Sequence, residues 1–253
     1  MAVDSPQERE LTHHEALYSG FAQRHFAKPA VRALRRHLVR RILTVSGAGE
    51  ASRLLSLGSG IGDTELLLAP HVGFVAGFDL SPAAIRQARE DAARLAIANV
   101  EFREGVMERV KFAECGFDAV IGIFFLHHLP DGELPGAIRQ IHRWLKPGGT
   151  FYGLDPNRWR LSGALGRLLV PHLMRRYQTP DERELKPAEI TRLFRAAGFQ
   201  IRSRCYDFVS TPLAGLLPSW GFGYRAARLL DEAPIRIPLL RALGSNFEWI
   251  ARK

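Results

Sequence analysis

Cysteine is nearly missing from this chain: of 253 residues only Cys115 and Cys205 carry a thiol. They have no CxxC spacing and no cluster of histidines around them, so a disulfide framework and a zinc site are both disfavoured, no metal is expected, and a reducing compartment fits. A membrane-spanning run is missing too. The longest uncharged stretch, Phe208 to Tyr224, is broken by Pro212, Pro218 and three glycines, and falls short of the roughly 20 apolar residues a bilayer requires. The opening residues, Met1 to Glu8, are polar and acidic rather than signal-like, and a cytoplasmic protein is expected. Long runs of like charge are also absent, although the net charge is +9. That excess admits an anionic substrate, a membrane surface or nucleic acid, and equally a set of solvated arginine-rich helix faces. With 46% apolar and 24% charged residues, disordered and fibrous classes drop out. The length suits one α/β domain, or such a domain with a cap.

What is present is an alternation of two periods. Val31, Leu34, Leu38 and Ile42 recur at helical spacing against Arg32, Arg35, Arg36 and Arg40, and Ser46-Gly47-Ala48-Gly49 ends that helix. Strands are then predicted at Arg53–Leu57, Phe74–Phe78, Val100–Phe102, Phe117–Phe125 and Thr150–Leu154. Helices are predicted at Asp63–Ala69, Pro82–Ile97 and Glu133–Leu145, with Pro147-Gly148-Gly149 as a stop. This succession argues for a parallel sheet with helices on both faces. Later come a helix at Pro187–Ala197 closed by Gly198 and strands at Phe199–Phe208 and Phe247–Ala251. Two long connections, from Asp155 to Pro187 and from Phe208 to Asn246, read as lids.

After the first strand stands Leu57-Gly58-Ser59-Gly60-Ile61-Gly62-Asp63. Its alternating glycines let the chain turn sharply and let a ligand lie on the main chain at a helix N-terminus. At the end of the second strand, Asp79 in Gly77-Phe78-Asp79-Leu80-Ser81-Pro82 is placed to accept both ribose hydroxyls of an adenosine. Its alternative is a helix N-cap, but Ser81 lies nearer the helix start and can supply that cap. The dinucleotide fingerprint GxGxxG is not matched: position 63 is aspartate and the third glycine falls at 62, which disfavours an NAD(P)-dependent oxidoreductase.

Four segments in order, LLSLGSGIGD (54–63), GFDLSPAAIRQARE (77–90), FDAVIGIFFLHHLPD (117–131) and LKPGGTFYGLDPN (145–157), resemble the class I S-adenosylmethionine-dependent methyltransferases. The likeness is to the branch that includes quinone, sterol and small natural-product methyltransferases. It implies a Rossmann-like, seven-stranded, mostly parallel sheet with the last strand antiparallel, an N-terminal helical cap segment at 1–45, and a methyltransferase domain at 46–253 with cap insertions at about 156–186 and 208–246. It implies S-adenosyl-L-methionine as cofactor, held by Gly58, Ser59, Gly60, Gly62, Asp79, Leu80 and Phe124. Two departures stand out. The family usually carries an acid two residues before the first glycine, where this chain has Ser56. It often carries an aspartate after the glycine that follows strand three, where Gly105 is followed by Val106, Met107 and Glu108. Ser56 or the backbone would then meet the methionine amino group, and Glu108 or a carbonyl of this segment the adenine amine.

Methyl transfer from a sulfonium is an in-line displacement that depends on positioning, and a phenol or enol acceptor gains from a general base. His127 and His128 follow the fourth strand at the carboxyl edge, where open α/β sheets bind ligands. Either is placed to act as base, or both to line the pocket. Asp155 and Asn157 sit at the same edge, to bind an acceptor or to form a turn with Pro156. Tyr18, Phe21 and Phe26 are candidates for a lid over the cofactor, or for plain core. Leu161, Leu165, Leu168 and Leu169 beside Arg158, Arg160, Arg167, Arg175 and Arg176, with a second such region from Pro212 to Leu240, suit a lipophilic small-molecule acceptor, with an anionic group or presented at a membrane surface. Alternatives are an RNA or protein methyltransferase and a non-catalytic cofactor-binding module. Nucleic acid is disfavoured, and the oligomeric state is not legible.

Overall fold

The computed structural model describes residues 25–163 and 185–253. Helix α1 (Pro29–Ser46) begins on a proline, whose missing N–H would be unpaired there in any case. It ends at Gly47, whose φ of +67° lets its N–H return to the Leu43 carbonyl at 3.0 Å. Its stripe of Leu34, Leu38 and Ile42 packs in one cluster with Leu54, Ile121 and Tyr152 of the sheet. The expected basic face is only partly solvated. Arg41 reaches Glu248, which is 2% exposed, with Nε to Oε2 at 2.9 Å, and Arg35 Nε lies 2.6 Å from Asp63 Oδ2.

The chain then runs β1 (Arg53–Leu57), α2 (Glu65–Leu68), a 3-10 turn (Ala69–His71), β2 (Phe74–Asp79), α3 (Pro82–Arg94), β3 (Val100–Glu104), β4 (Phe117–Ile123), a 3-10 turn (Leu126–His128), α4 (Leu134–Trp144) and β5 (Leu145–Pro156). It continues with α5 (Pro187–Ala196), β6 (Gln200–Asp207), α6 (Ser210–Leu216), α7 (Gly221–Ile235), a 3-10 turn (Leu240–Leu243) and β7 (Asn246–Arg252). The sheet order is β3-β2-β1-β4-β5-β7-β6. All pairs are parallel except those of β7, which is antiparallel to both β5 and β6. This is the seven-stranded Rossmann-like sheet expected from the sequence. Strand order reverses between β1 and β4, and ligands bind at the carboxyl ends of strands at such a switch point.

Three elements differ from the sequence reading. Strand β5 starts at Leu145, because Lys146 to Gly149 form an irregularity between the pairs Phe117–Leu145 and Ala119–Thr150 rather than a loop outside the sheet. Strand β4 stops at Ile123, because Phe124 turns to φ +55°. The connection from 208 to 246 is helical. Asp231 on α7, 1% exposed, accepts from the N–H groups of Phe208, Val209 and Ser210 at 3.0–3.1 Å and so organises the start of α6. Helix α7 carries large apolar side chains on its exposed side as well as its buried one, which blurs the one-sided period that marks a helix in sequence.

Candidate active site

The glycine loop is shaped by contacts that side chains would obstruct. Gly58, Gly60 and Gly62 all have positive φ, at +63°, +53° and +76°. A Cβ on Gly58 would lie 2.6 Å from the Phe125 ring, and one on Gly62 would lie 2.7 Å from the Phe102 ring. The first contact matters for the site as a whole. Phe125 belongs to the turn after β4, so the turn that carries the two histidines stands against the loop that follows β1.

Asp79 faces that same loop. Its Oδ2 accepts from Gly60 N at 2.8 Å and its Oδ1 from Ser81 N at 2.9 Å. An ionised carboxylate has about four acceptor positions, so both oxygens keep capacity for hydroxyl donors. Burial pushes the Asp79 carboxyl up, and the backbone N–H groups of Ser81, Gly60 and Leu80 oppose that. The capping role falls to Ser81, whose Oγ accepts from Ala84 N at 3.2 Å. The backbone carbonyl of Asp79 also accepts from Gly105 N at 2.9 Å, which ties the segment after β3 to the site. In that segment Met107 is buried, Val106 is half-buried with its carbonyl already accepting from Arg109 N and Val110 N at 3.0 Å, and Glu108 is exposed. Leu80 and Phe124 are half-buried.

A carboxylate that the sequence reading missed lies beneath the loop. Ser56, 2% exposed, donates its hydroxyl to Glu65 Oε1 at 2.5 Å. Glu65, on the first turn of α2, is 3% exposed, and its other oxygen, Oε2, has no hydrogen-bond partner among the described residues. Burial pushes its carboxyl up to about 7. The signal in the sequence was an unexplained Glu directly after the glycine loop, in a chain whose first strand lacks its expected acid. The buried Ser59 hydroxyl is likewise without a partner among the described residues.

At the edge of β4 and β5, His127 and Asp155 are drawn together. His127 Nδ1 lies 2.8 Å from Asp155 Oδ1, and the His127 N–H donates to the same oxygen at 3.2 Å. Asp155 is fully buried, with the Leu126 and Phe125 backbone donors also turned toward it. Burial pushes the Asp155 carboxyl well up and these backbone donors oppose that; the oxygen that accepts from the His127 N–H also faces the ring, which places the imidazole proton on Nδ1. Burial, with the Arg160 cation, lowers His127 to about 3 and keeps the ring neutral. His128 packs on it with ring centroids 4.0 Å apart. Just before them, Phe124 holds its left-handed φ, a strained conformation for a bulky side chain that is concentrated at functional sites. Asn157 is taken up in structure: its Nδ2 donates to the Ala242 and Gly244 carbonyls and its Oδ1 accepts from Trp159 N.

Phe26 packs with Ile61 of the glycine loop and Ala84 of α3, under the Arg35 guanidinium. Tyr18 and Phe21 lie outside the described residues, as do Leu165, Leu168, Leu169, Arg167, Arg175 and Arg176. Among the described residues no helix is long and apolar enough to cross a membrane.

Residues 54–149 match the family model described as a methyltransferase domain. A demethylmenaquinone methyltransferase of Chlorobaculum parvum is 34% identical over 105 residues, 41% of this chain and 41% of its own length. A ubiquinone biosynthesis O-methyltransferase of Methylobacterium nodulans is 32% identical over 169 residues, 66% of each chain. The chain thus spans less than two thirds of the length of these curated relatives. Among solved structures, a SAM-dependent methyltransferase from Aquifex aeolicus superposes with a TM-score of 0.57 at 16% identity, covering 85% of this chain and 88% of its own, a likeness of fold. The glycine loop braced by Asp79, the strand order and the four sequence segments agree with these matches. Residues 54–149 carry a methyltransferase domain with the fold and motifs of the class I S-adenosylmethionine-dependent enzymes, and the relatives this chain resembles include quinone methyltransferases.

Proposed function

We propose that this chain methylates a hydroxyl of a small lipophilic acceptor, with His127 as general base and Asp155 as the residue that positions it. The observation that carries this reading is the 2.8 Å His127–Asp155 contact on a turn whose Phe125 ring rests on Gly58. S-adenosylmethionine, when bound, supplies a methyl on a sulfonium, whose carbon–sulfur bond breaks as the bond to the acceptor oxygen forms. Asp79 would accept the ribose hydroxyls, with Leu80, Phe124 and the segment Val106–Glu108 around the adenine. Gly58, Ser59, Gly60 and Gly62 would leave room for the rest of the ligand. His127 would take the hydroxyl proton, and His128 would line the acceptor side. The cap segment at 208–246 would border the acceptor in the cytoplasm, whereas most of the N-terminal segment and of the cap at about 156–186 lies outside the described residues.

Glu65 supplies the negative charge that the resemblance expects at position 56, delivered from α2 and steadied by Ser56. Its orphaned Oε2 fits the amino group of the methionine moiety. Because the carboxyl is neutral below about 7, attraction for that ammonium should appear only as the pH rises through neutrality. Affinity for S-adenosylhomocysteine is therefore expected to increase between pH 6 and pH 8. Glu65→Gln should flatten that dependence and weaken binding by about tenfold at pH 8, the scale of one charge-assisted hydrogen bond. A wild-type affinity that is level across this range would remove Glu65 from the ligand contacts.

The function itself is tested by incubation with radiolabelled S-adenosylmethionine and reduced prenylated hydroxyquinones, followed by mass identification of the product. Label recovered as a methyl ether is expected. Label that passes instead to RNA or protein, with none on lipophilic phenols, would overturn the proposal.

A further inference from the structure

Exposed apolar side chains are distributed unevenly over this molecule. Among the described residues, every large exposed hydrophobic except Leu95 lies at Trp159, at Leu161, or between Val209 and Leu243. Helix α7 is the centre of this surface. Its inner face buries Tyr224, Ala227 and Asp231, whereas its outer face leaves Phe222, Leu229 and Leu230 at 71%, 76% and 73% exposure. The following turn continues it with Ile237 and with Leu239, at 86% exposure. Large apolar side chains left in solvent on a helix already anchored by its other face mark a contact surface rather than a fold requirement.

The charge on this surface is mostly positive. Arg225, Arg236 and Arg241 are exposed beside it, and the Arg158 guanidinium lies over the Trp159 ring. In the described parts of both caps the exposed acid is Glu232, and it pairs with Arg228 at 3.0 Å. The surface also adjoins the candidate site. Asn157, two residues beyond Asp155, holds the carbonyls of Ala242 and Gly244 and so fixes the end of the apolar turn at the carboxyl edge of β5.

We propose that α7 and the turn after it are a docking face for an anionic lipid bilayer, on which the leucines and Phe222 enter the interfacial region while the arginines meet lipid phosphates. Amphipathic surfaces of this composition bind membranes by apolar burial together with electrostatic attraction. The inference deepens the proposed function and takes its purpose from it: a lipophilic acceptor partitions into the bilayer, and a site that opens at the bilayer surface meets it there. Docking itself is measured without turnover, so a failed acceptor assignment and a failed docking face give different results.

The experiment is cosedimentation of the full chain with vesicles of equimolar phosphatidylglycerol and phosphatidylcholine, and with vesicles of phosphatidylcholine alone. Binding to the anionic vesicles is expected, with much weaker binding to the neutral ones. Arg236→Glu/Arg241→Glu should lower vesicle affinity at least about thirtyfold, from roughly 1 kcal/mol per arginine at such a surface. Leu229→Glu/Leu230→Glu should lower it at least about tenfold. Both variants should bind S-adenosylhomocysteine as the wild type does, which reports that they are folded. Vesicle binding unchanged in both variants, or absent in the wild type, would overturn the proposal. So would sedimentation velocity showing a wild-type dimer that Leu229→Glu/Leu230→Glu converts to monomer without any vesicle binding, since the face would then join two copies of the chain.

Discussion

Asp79→Ala is expected to lower the affinity for S-adenosylhomocysteine at least about a hundredfold, read by titration calorimetry. Two losses combine. The ribose hydroxyls would lose an ionised acceptor, and hydrogen bonds to charged groups are worth roughly 1.5–3 kcal/mol each. The glycine loop would also lose its brace, because Asp79 Oδ2 is what holds Gly60 N. Asp79→Asn should not restore binding. One carboxylate oxygen faces Gly60 N and the other faces Ser81 N, so an amide must turn its NH2 toward one of these donors. Undiminished binding in Asp79→Ala would show that the adenosine is gripped elsewhere.

His127→Gln should instead leave that affinity intact and lower kcat by about 10²–10⁴-fold, the usual contribution of a general base. The kcat of this variant, rather than the pH profile, separates a base from a residue that merely lines the pocket. Burial lowers His127 to about 3, so the ring is in its proton-accepting form throughout the range in which the fold can be assayed. The wild-type kcat should therefore show no acid limb near 6.5 from this residue. Asp155→Asn should lower kcat with little change in KM for the acceptor, because the carboxylate fixes the proton on Nδ1 and touches the imidazole rather than the acceptor. A His127→Gln enzyme of near wild-type kcat would return the pair to a structural role and favour an acceptor that arrives already deprotonated.

What was legible in the sequence was local. The glycine loop, the Ser81 cap and the strand–helix alternation are each written within a few neighbouring residues, and the structure places them as read. His127 and Asp155 were both picked out by their position at the sheet edge, but their union across 28 residues was not. Glu65 escaped because its meaning depends on Ser56, nine positions away on a different element. The strand period gives no hint that a side chain from the next helix meets Ser56. Helices α6 and α7 escaped for another reason. Their segment has large apolar residues on more than one side, interleaved with Arg225, Arg228, Asp231 and Glu232, so no single apolar face announced a helix, and Asp231, which organises the start of α6, lies 21 residues beyond Ser210. Local chemistry is spelled out in order along a chain, whereas contacts between distant segments follow from the fold.

Strand β7 follows all the other strands in sequence yet sits inside the sheet, hydrogen-bonded to β5 on one side and β6 on the other, and it carries the glutamate that anchors α1. During synthesis, a nascent chain that has emerged only as far as Gly244 has an unfilled slot there: β5 and β6 each present a bare row of backbone donors and acceptors, and Arg41 has no counter-ion at that point. Such open edges recruit other strands. The sheet is therefore completed only late, once residues 246–252 have left the ribosome tunnel.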